Sequence, residues 1–323
     1  SRLLARGQAP AAPATLRVRA GLIAGLLSYG PIEQLWDMQA VLPMPDARLP
    51  LALLGRAQQQ HPHWRQLLEH YWCPVSAGRF WFGDEDEEDL QQVSLPHDFT
   101  IARYPTTNAD FACFVAAGGY EQEQWWTPQG WQWRQKQGLD RLYPGLIAGE
   151  RRFDNPLQPA VWVSWYEAVA YCRWLTHQGH TQSWLAANYA IRLPTALEWE
   201  RAARGTAPGR YPWGDTLPPD SERVNGKETG LGCTSPVGCF PQGVAACGAH
   251  EMLGNVWEWT VTLNGHDQEP KPMEDGDPSD WIRLKGYDWS GYILQMSSDL
   301  RGKNFGWVDG GGFRPGCFLV VIS

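Results

Sequence analysis

The sequence predicts an α+β protein with a small helical stretch ahead of a larger, loop-rich mixed domain. Three observations carry this reading. The 323 residues include 19 Trp, 34 Gly and 25 Pro, a texture of irregular loops pinned by buried indoles rather than of a helical bundle. Helical periodicity is concentrated before His70, in Leu16, Leu22, Ile23, Leu26 and Leu27, then Leu49 to Leu54, then Leu67 and Leu68. It is interrupted at Gly30-Pro31, Leu42-Pro43 and Leu49-Pro50. After Cys73-Pro74 short strands, capped helices and long loops take over. The expected division is therefore a helical N-terminal segment over 1–73 and the main domain over 74–323.

Within the main domain, Arg79-Phe80-Trp81-Phe82 reads as a strand, followed by an acidic turn at Asp84–Asp89, and His97–Ile101 reads as a second strand. Thr107 to Ala117 is predicted helical, closed by Gly118-Gly119, with Phe111, Phe114 and Val115 on one face. Ser164-Trp165-Tyr166-Glu167 is a capping box that opens a helix running to about Gln178, before Gly179. Thr195-Ala196-Leu197-Glu198 is a second capping box, and its helix is expected to end at Gly205. In Val256–Val261 the period is two, which puts Trp257, Trp259 and Val261 on a buried face and Glu258 on the other.

Composition narrows the function. The formal charge of −8 argues against a nucleic-acid binder, because neutralising phosphates needs a basic face. No apolar run approaches the roughly 20 residues a membrane helix requires. The seven cysteines are odd in number and include no Cys-x-x-Cys, so a disulfide framework is not expected, although Cys233, Cys239 and Cys247 are close enough in sequence for one bridge. The cytoplasm is the default location. Export stays open, since the chain begins at Ser1 without a methionine.

The motifs then form an ordered series. Gly78-x-Phe80-x-Phe82-Gly83 and Thr107-Asn108-Ala109-x-Phe111-x-x-Phe114-Val115 come first. Val163-Ser164-Trp165-x-x-Ala168-x-x-Tyr171-Cys172-x-Trp174 and Arg192-Leu193-Pro194-Thr195-x-x-Glu198-Trp199-Glu200 follow. Tyr211-Pro212-Trp213-Gly214-Asp215, Met252-Leu253-Gly254-Asn255-Val256-Trp257-Glu258-Trp259-Thr260 and Gly312-Phe313-Arg314 complete it. In this order they resemble the formylglycine-generating-enzyme and sulfatase-modifying-factor family, and the resemblance spans residues 74–317. It implies a C-type lectin-like fold. Most of these residues are scaffold, so the fold alone supplies no reaction.

The family's oxidases hold copper with two cysteines of the C-terminal segment, soft thiolates suited to Cu(I). In register those positions are Ser290 and Gln295, and no cysteine lies between Cys247 and Cys317. The His-x-x-x-His-x-Glu motif of the related iron-dependent sulfoxide synthases is not found among the eight histidines. His177 and His180 share a helix face but read as exposed residues at a helix end. The expectation is therefore a non-enzyme without copper.

The C-terminal segment resembles instead the variable region of diversity-generating-retroelement variable proteins. Its cues are Gly286…Trp289, then Ser297, Ser298 and Arg301, and the closing Gly312-Phe313-Arg314, over a candidate region 286–313. That resemblance implies a binding face that recognises a macromolecular, protein target. The face would comprise Tyr287, Asp288, Ser290, Gly291, Tyr292, Ile293, Leu294, Asn304, Phe305, Trp307, Val308 and Asp309. Rigid rings beside small polar groups are also what an antibody paratope uses. The run Gly291–Leu294 reads equally as a buried strand. Trp281 and Trp289 either frame this face or support it.

The family's structural Ca²⁺ site, carried over by position, falls on Glu251, the carbonyls of Gly254 and Val256, and Glu258, a hard-oxygen set. Glu258 reads equally as a hydrogen-bonding partner of loop amides. Two alternatives stand beside the binding-protein reading: a copper-dependent oxidase of the formylglycine-generating type, and a structural homologue whose last segment does not vary.

Overall fold

The structure is a computed structural model that describes residues 13, 14, 18, 71–83, 90–137, 151–215, 217–263, 282–293, 301–304, 311–314 and 316–319. The main domain's first strand, β1 (Trp72–Val75), begins just ahead of the expected boundary. It is followed by β2 (Gly78–Phe82), β3 (Gln91–Leu95) and β4 (Phe99–Ala102). Helices α1 (Asn108–Ala116), α2 (Pro128–Lys136) and α3 (Trp165–Thr181) lead to β5 (Tyr189–Arg192) and α4 (Ala196–Arg204). A long run of turns then reaches β6 (Val256–Leu263), β7 (Ile282–Tyr287), β8 (Arg301–Asn304), β9 (Gly311–Gly312) and β10 (Gly316–Leu319).

Two four-stranded sheets, ordered β1-β4-β10-β5 and β8-β7-β6-β9, and the β2-β3 hairpin make up the sheet structure among the described residues. In the second sheet β6 pairs antiparallel with β7 and parallel with β9. One core gathers α1, α3 and β6 around Phe111, Phe114, Trp165, Tyr171, Trp259 and Phe313. The other lies beneath α4, with Phe80, Phe82, Ile101 and Trp199.

The helix starts follow the sequence closely. Thr107, Ser164 and Thr195 each cap their helix through a reciprocal box with Asp110, Glu167 and Glu198, satisfying amides the helix itself leaves open. The α4 stop is also where the glycine puts it, at Gly205 with φ +73°. The α3 stop is not. That helix runs through Gly179 to Thr181, because a Cβ at Gly179 would lie 2.6 Å from the Leu185 Cβ. This glycine permits close packing of the returning chain instead of ending the helix. Helix α2 escaped the sequence reading, although its start is conventional: Thr127 accepts from Gly130 N–H and Pro128 occupies the first turn. No helix among the described residues is long and apolar enough to cross a membrane.

Two indoles join α3 to β6. Trp165 Nε1 donates to the Thr260 carbonyl at 2.9 Å, and Trp259 Nε1 donates to the Val163 carbonyl at 2.8 Å. Both rings are fully buried.

Glu198 links the α4 cap to β5. It accepts from Thr195 N–H at 2.7 Å and from both Arg192 nitrogens at 2.8 Å, and lies 2.9 Å from His97 Nε2. Burial alone would raise its pKa, but the Arg192 charge and these hydrogen bonds hold the carboxyl down to about 2, from an ordinary 4.5. A carboxylate depressed in the folded state contributes stability above its unfolded pKa and loses it as pH falls. Thermal stability is therefore expected to decline between pH 4.5 and 2, and Glu198→Gln should flatten that decline. An unchanged acid profile in the variant would show that Glu198 does not drive it.

Candidate functional site

The Leu253-Gly254-Asn255 turn organises one end of the second sheet. Asn255 takes φ +70°, a conformation that suits asparagine better than most residues. Its Oδ1 accepts from Ser235 N–H at 2.8 Å and from Asn225 Nδ2 at 3.0 Å, and its backbone N–H donates to the Asn225 carbonyl at 2.9 Å. At Gly254 (φ +77°) a Cβ would sit 2.7 Å from that same Asn225 carbonyl, so only glycine lets the two turns touch. Asn255 O in turn accepts from Trp289 N–H at 3.3 Å, which docks the loop following β7.

That loop is tied down along its length. Asp288 Oδ1 accepts from Ser290 N–H and Oγ at 2.9 and 2.7 Å. Lys227 N–H donates to the Gly291 carbonyl at 2.8 Å, and Glu228 accepts from Ile293 N–H at 2.8 Å. Lys227 Nζ reaches Tyr292 Oη at 2.6 Å. Asp288 and Ile293 are buried, while Ser290 and Tyr292 are exposed, Tyr292 at 51%.

Half-buried aromatics surround the loop. Tyr287 lies 4.8 Å from Trp257, ring centre to ring centre. Tyr287 packs on the same Val224, Leu253 and Ile293 cluster as Tyr211 and Trp213, which stack on one another at 5.4 Å. On the other side Phe153 contacts Trp162 at 4.8 Å and Trp289 at 5.6 Å. Trp162 stands at φ +57°, a strained position for a bulky side chain and one that clusters at functional sites. The indole N–H of Trp289 is buried without a hydrogen-bond partner. The result is an aromatic rim with one exposed phenol, one ammonium and one carboxylate beside it.

Beneath the rim lies a buried layer of charge. Arg314 donates to Glu258 through Nε at 2.7 Å and Nη2 at 2.6 Å, and Trp199 Nε1 donates to Glu258 Oε2 at 2.7 Å. Burial works against the Arg314 charge, but the Glu258 carboxylate outweighs it and raises the arginine's pKa above its ordinary value. Lys285, wholly buried, donates to Glu200 at 2.7 Å. Glu200 also accepts from Arg204 at 2.5 Å and from Gly83 N–H at 2.9 Å.

These contacts correct several expectations. Residues 287–293 are not a free platform. Asp288 and Ile293 face inward, and a Cβ at Gly291 would fall 1.6 Å from Tyr287 Cε1, so that position cannot accept arbitrary side chains. Leu294, Phe305, Trp307, Val308, Asp309 and Trp281 lie outside the described residues, and of Asn304 only the backbone is described. At the calcium positions several oxygens are engaged within the protein. Both Glu258 oxygens are taken by Arg314 and Trp199, Glu251 Oε1 accepts from Gly238 N–H at 2.7 Å, and the Gly254 carbonyl accepts from Val256 N–H. Glu258 also faces a buried layer where the period-two reading gave only its opposite side as buried.

Of the two copper positions, Ser290 carries a hydroxyl that donates to Asp288, and Gln295 lies outside the described residues. His177 and His180 are local helix-end residues: His180 Nε2 lies 2.9 Å from the Tyr189 carbonyl, and His177 packs on Trp125. Sequence reasoning missed Phe153, Trp162, Asn225, Lys227 and Glu228 as site residues. Of the rim, Tyr211, Trp213 and Trp257 were visible only as motif residues.

Comparison with known proteins agrees with the fold and changes the function. Residues 63–314 match the sulfatase-modifying factor enzyme 1-like domain. The hercynine oxygenase of Mycolicibacterium thermoresistibile is 38% identical over 64% of this chain and 47% of its own length. This chain thus spans under half of that relative. The formylglycine-generating enzyme of Bos taurus is 28% identical over 66% of this chain and 63% of its own. Among solved structures, PvdO from Pseudomonas aeruginosa superposes with a TM-score of 0.54 at 25% identity, covering 76% of this chain and 93% of that one. Treponema denticola variable protein 1 superposes with a TM-score of 0.51 at 17% identity, covering 76% and 94%, a likeness of fold alone.

The expectation of a non-catalytic, diversified binding protein is overturned by the sequence relatives, which are named as enzymes. The protein target assigned to that binding face goes with it. Neither oxidase signature is present in its familiar form, yet the relatives in sequence include proteins named hercynine oxygenase and formylglycine-generating enzyme. The chain belongs to the sulfatase-modifying factor enzyme 1-like domain family, with a C-type lectin-like fold.

Proposed function

We propose that this chain is the substrate-holding part of an oxidative enzyme related to the hercynine oxygenases and formylglycine-generating enzymes. The aromatic rim around residues 287–293 receives the organic substrate. The observation that carries this reading is the 38% identity to hercynine oxygenase. The chemistry of the rim supports it: half-buried indoles give flat apolar walls, while Lys227, Glu228 and Tyr292 supply a few convergent polar groups, the usual make-up of a small-molecule site. Among the described residues no three His, Cys, Asp or Glu side chains gather within reach of one ion. The role assigned to the described part is therefore binding and orientation.

Hercynine is the first ligand to test, by titration of the full chain with tryptophan fluorescence as readout and oxygen uptake measured alongside. Saturable quenching is expected, weakened about tenfold or more by Trp289→Ala, in line with the loss of an aromatic anchor. Saturable binding of a cysteine-containing peptide in place of hercynine would move the assignment to the formylglycine-generating side. No saturable binding of either, and no oxygen uptake, would overturn the reading.

A further inference from the structure

The turn at residues 245–249 brings together two thiols that are far apart in the sequence. Cys73 is fully buried on β1, opposite Ile101 of β4. The turn is closed by Ala245 N–H to Ala249 O at 2.9 Å and by Gly248 N–H to Ala245 O at 2.8 Å. Gly248 takes φ +94°, and a Cβ built there would lie 3.6 Å from Cys73 Sγ, so the turn sits directly over that sulfur. Cys247, the neighbouring residue, is half-buried and packs against the core cluster that contains Cys73. Arg103 holds the turn in place, donating to the Gly248 carbonyl at 2.8 Å.

We propose that Cys247 and Cys73 form a hydroperoxide-reactive thiol pair, in which Cys247 is the sulfur attacked first and Cys73 the one that closes the disulfide. The two environments divide these roles. The Cys73 hydrogen bond, the Ala249 N–H and the nearby Arg314 and Arg103 charges outweigh burial and bring the Cys247 thiol down to about 7. The hydrogen bond to Cys247, and then burial, push the Cys73 thiol well up, so the shared proton stays on Cys73. A thiolate that solvent can reach is the form that reacts with peroxides.

The reaction has two steps. The Cys247 thiolate attacks the terminal oxygen of the hydroperoxide, forming an S–O bond and breaking the O–O bond. The displaced alkoxide or hydroxide leaves as an alcohol or water once it takes a proton. Cys73 sulfur then attacks Cys247 sulfur. The S–S bond forms, the S–O bond breaks, and the hydroxide departs as water with the Cys73 proton. Two electrons pass from the thiol pair to the peroxide. The product ties β1 to the turn leading into His250 and Glu251, whose carbonyls Arg314 grips at 2.7 and 3.0 Å.

The test uses the full chain with the exposed Cys113 changed to serine, treated with equimolar hydrogen peroxide, alkylated and mapped without reduction. The expected result is the loss of two thiols per chain and one linked peptide pair carrying Cys73 and Cys247. In a Cys73→Ala background, Cys247 should instead be trapped by dimedone as a sulfenic acid. Three results in the Cys113→Ser chain would each overturn the proposal: both thiols still free, Cys247 oxidised to sulfinic acid without a link, or Cys233 or Cys239 oxidised first.

Discussion

Replacing Glu258 with alanine should cost the fold about 3–5 kcal/mol, the range for removing one partner of a buried ion pair. Arg314 is fully buried, so the variant would leave a guanidinium that still meets the carbonyls of Ala102, Arg103, His250 and Glu251 but has lost the carboxylate it grips, with only the weaker pull of the Glu251 charge left. The Trp199 indole N–H would lose its acceptor in the same step. For a domain of this size that loss corresponds to a fall in melting temperature of roughly 10 °C. Glu258→Gln keeps one acceptor oxygen and should fall between wild type and alanine. The double variant Glu258→Leu with Arg314→Met should recover much of the loss, because removing both charges avoids the stranded one. A single-variant cost below about 1 kcal/mol in urea unfolding would show that the pair is not the hub described here.

The second layer should respond asymmetrically. Glu200→Ala removes the carboxylate that Lys285 and Arg204, both deeply buried, share, and should again cost about 3–5 kcal/mol. Lys285→Met should be far milder, within about 1–2 kcal/mol. Glu200 still accepts from Arg204 and Gly83 in that variant, and the methionine stem fills the space against Phe82 and Trp199 that the lysine now occupies. Urea midpoints of the two variants measured side by side decide this. Equal losses would mean that Lys285 is as necessary as Glu200 and that the asymmetry is absent.

Much of the scaffold could be read directly because local chemistry fixes it. Capping boxes at Ser164 and Thr195 announce helix starts through contacts three residues long; the one at Thr107 emerges only in the structure. Gly179 misled because its reason is tertiary: the sequence shows a glycine, and only the fold shows Leu185 pressed against it. Glu258 misled in a similar way. A period-two strand assigns it a face but not that face's environment, and its partner Arg314 comes from the other end of the motif series. The rim was the least legible part. Trp162 owes its place to a left-handed backbone, and the fixed loop after β7 owes its shape to Asn225, Lys227 and Glu228, polar residues with no spacing signal of their own. The same holds for Cys73 and Cys247, which no sequence-distance argument pairs.

The sheet order carries one further consequence. Because β10 lies between β4 and β5, the early strands wait for an interior partner that the chain supplies only after β6 to β9. Until β10 leaves the ribosome, the β1-β4 pair and β5 therefore stay apart, with two open edges exposed to neighbouring nascent chains. A change that disturbs residues 316–319 should therefore act like drawing the keystone from an arch.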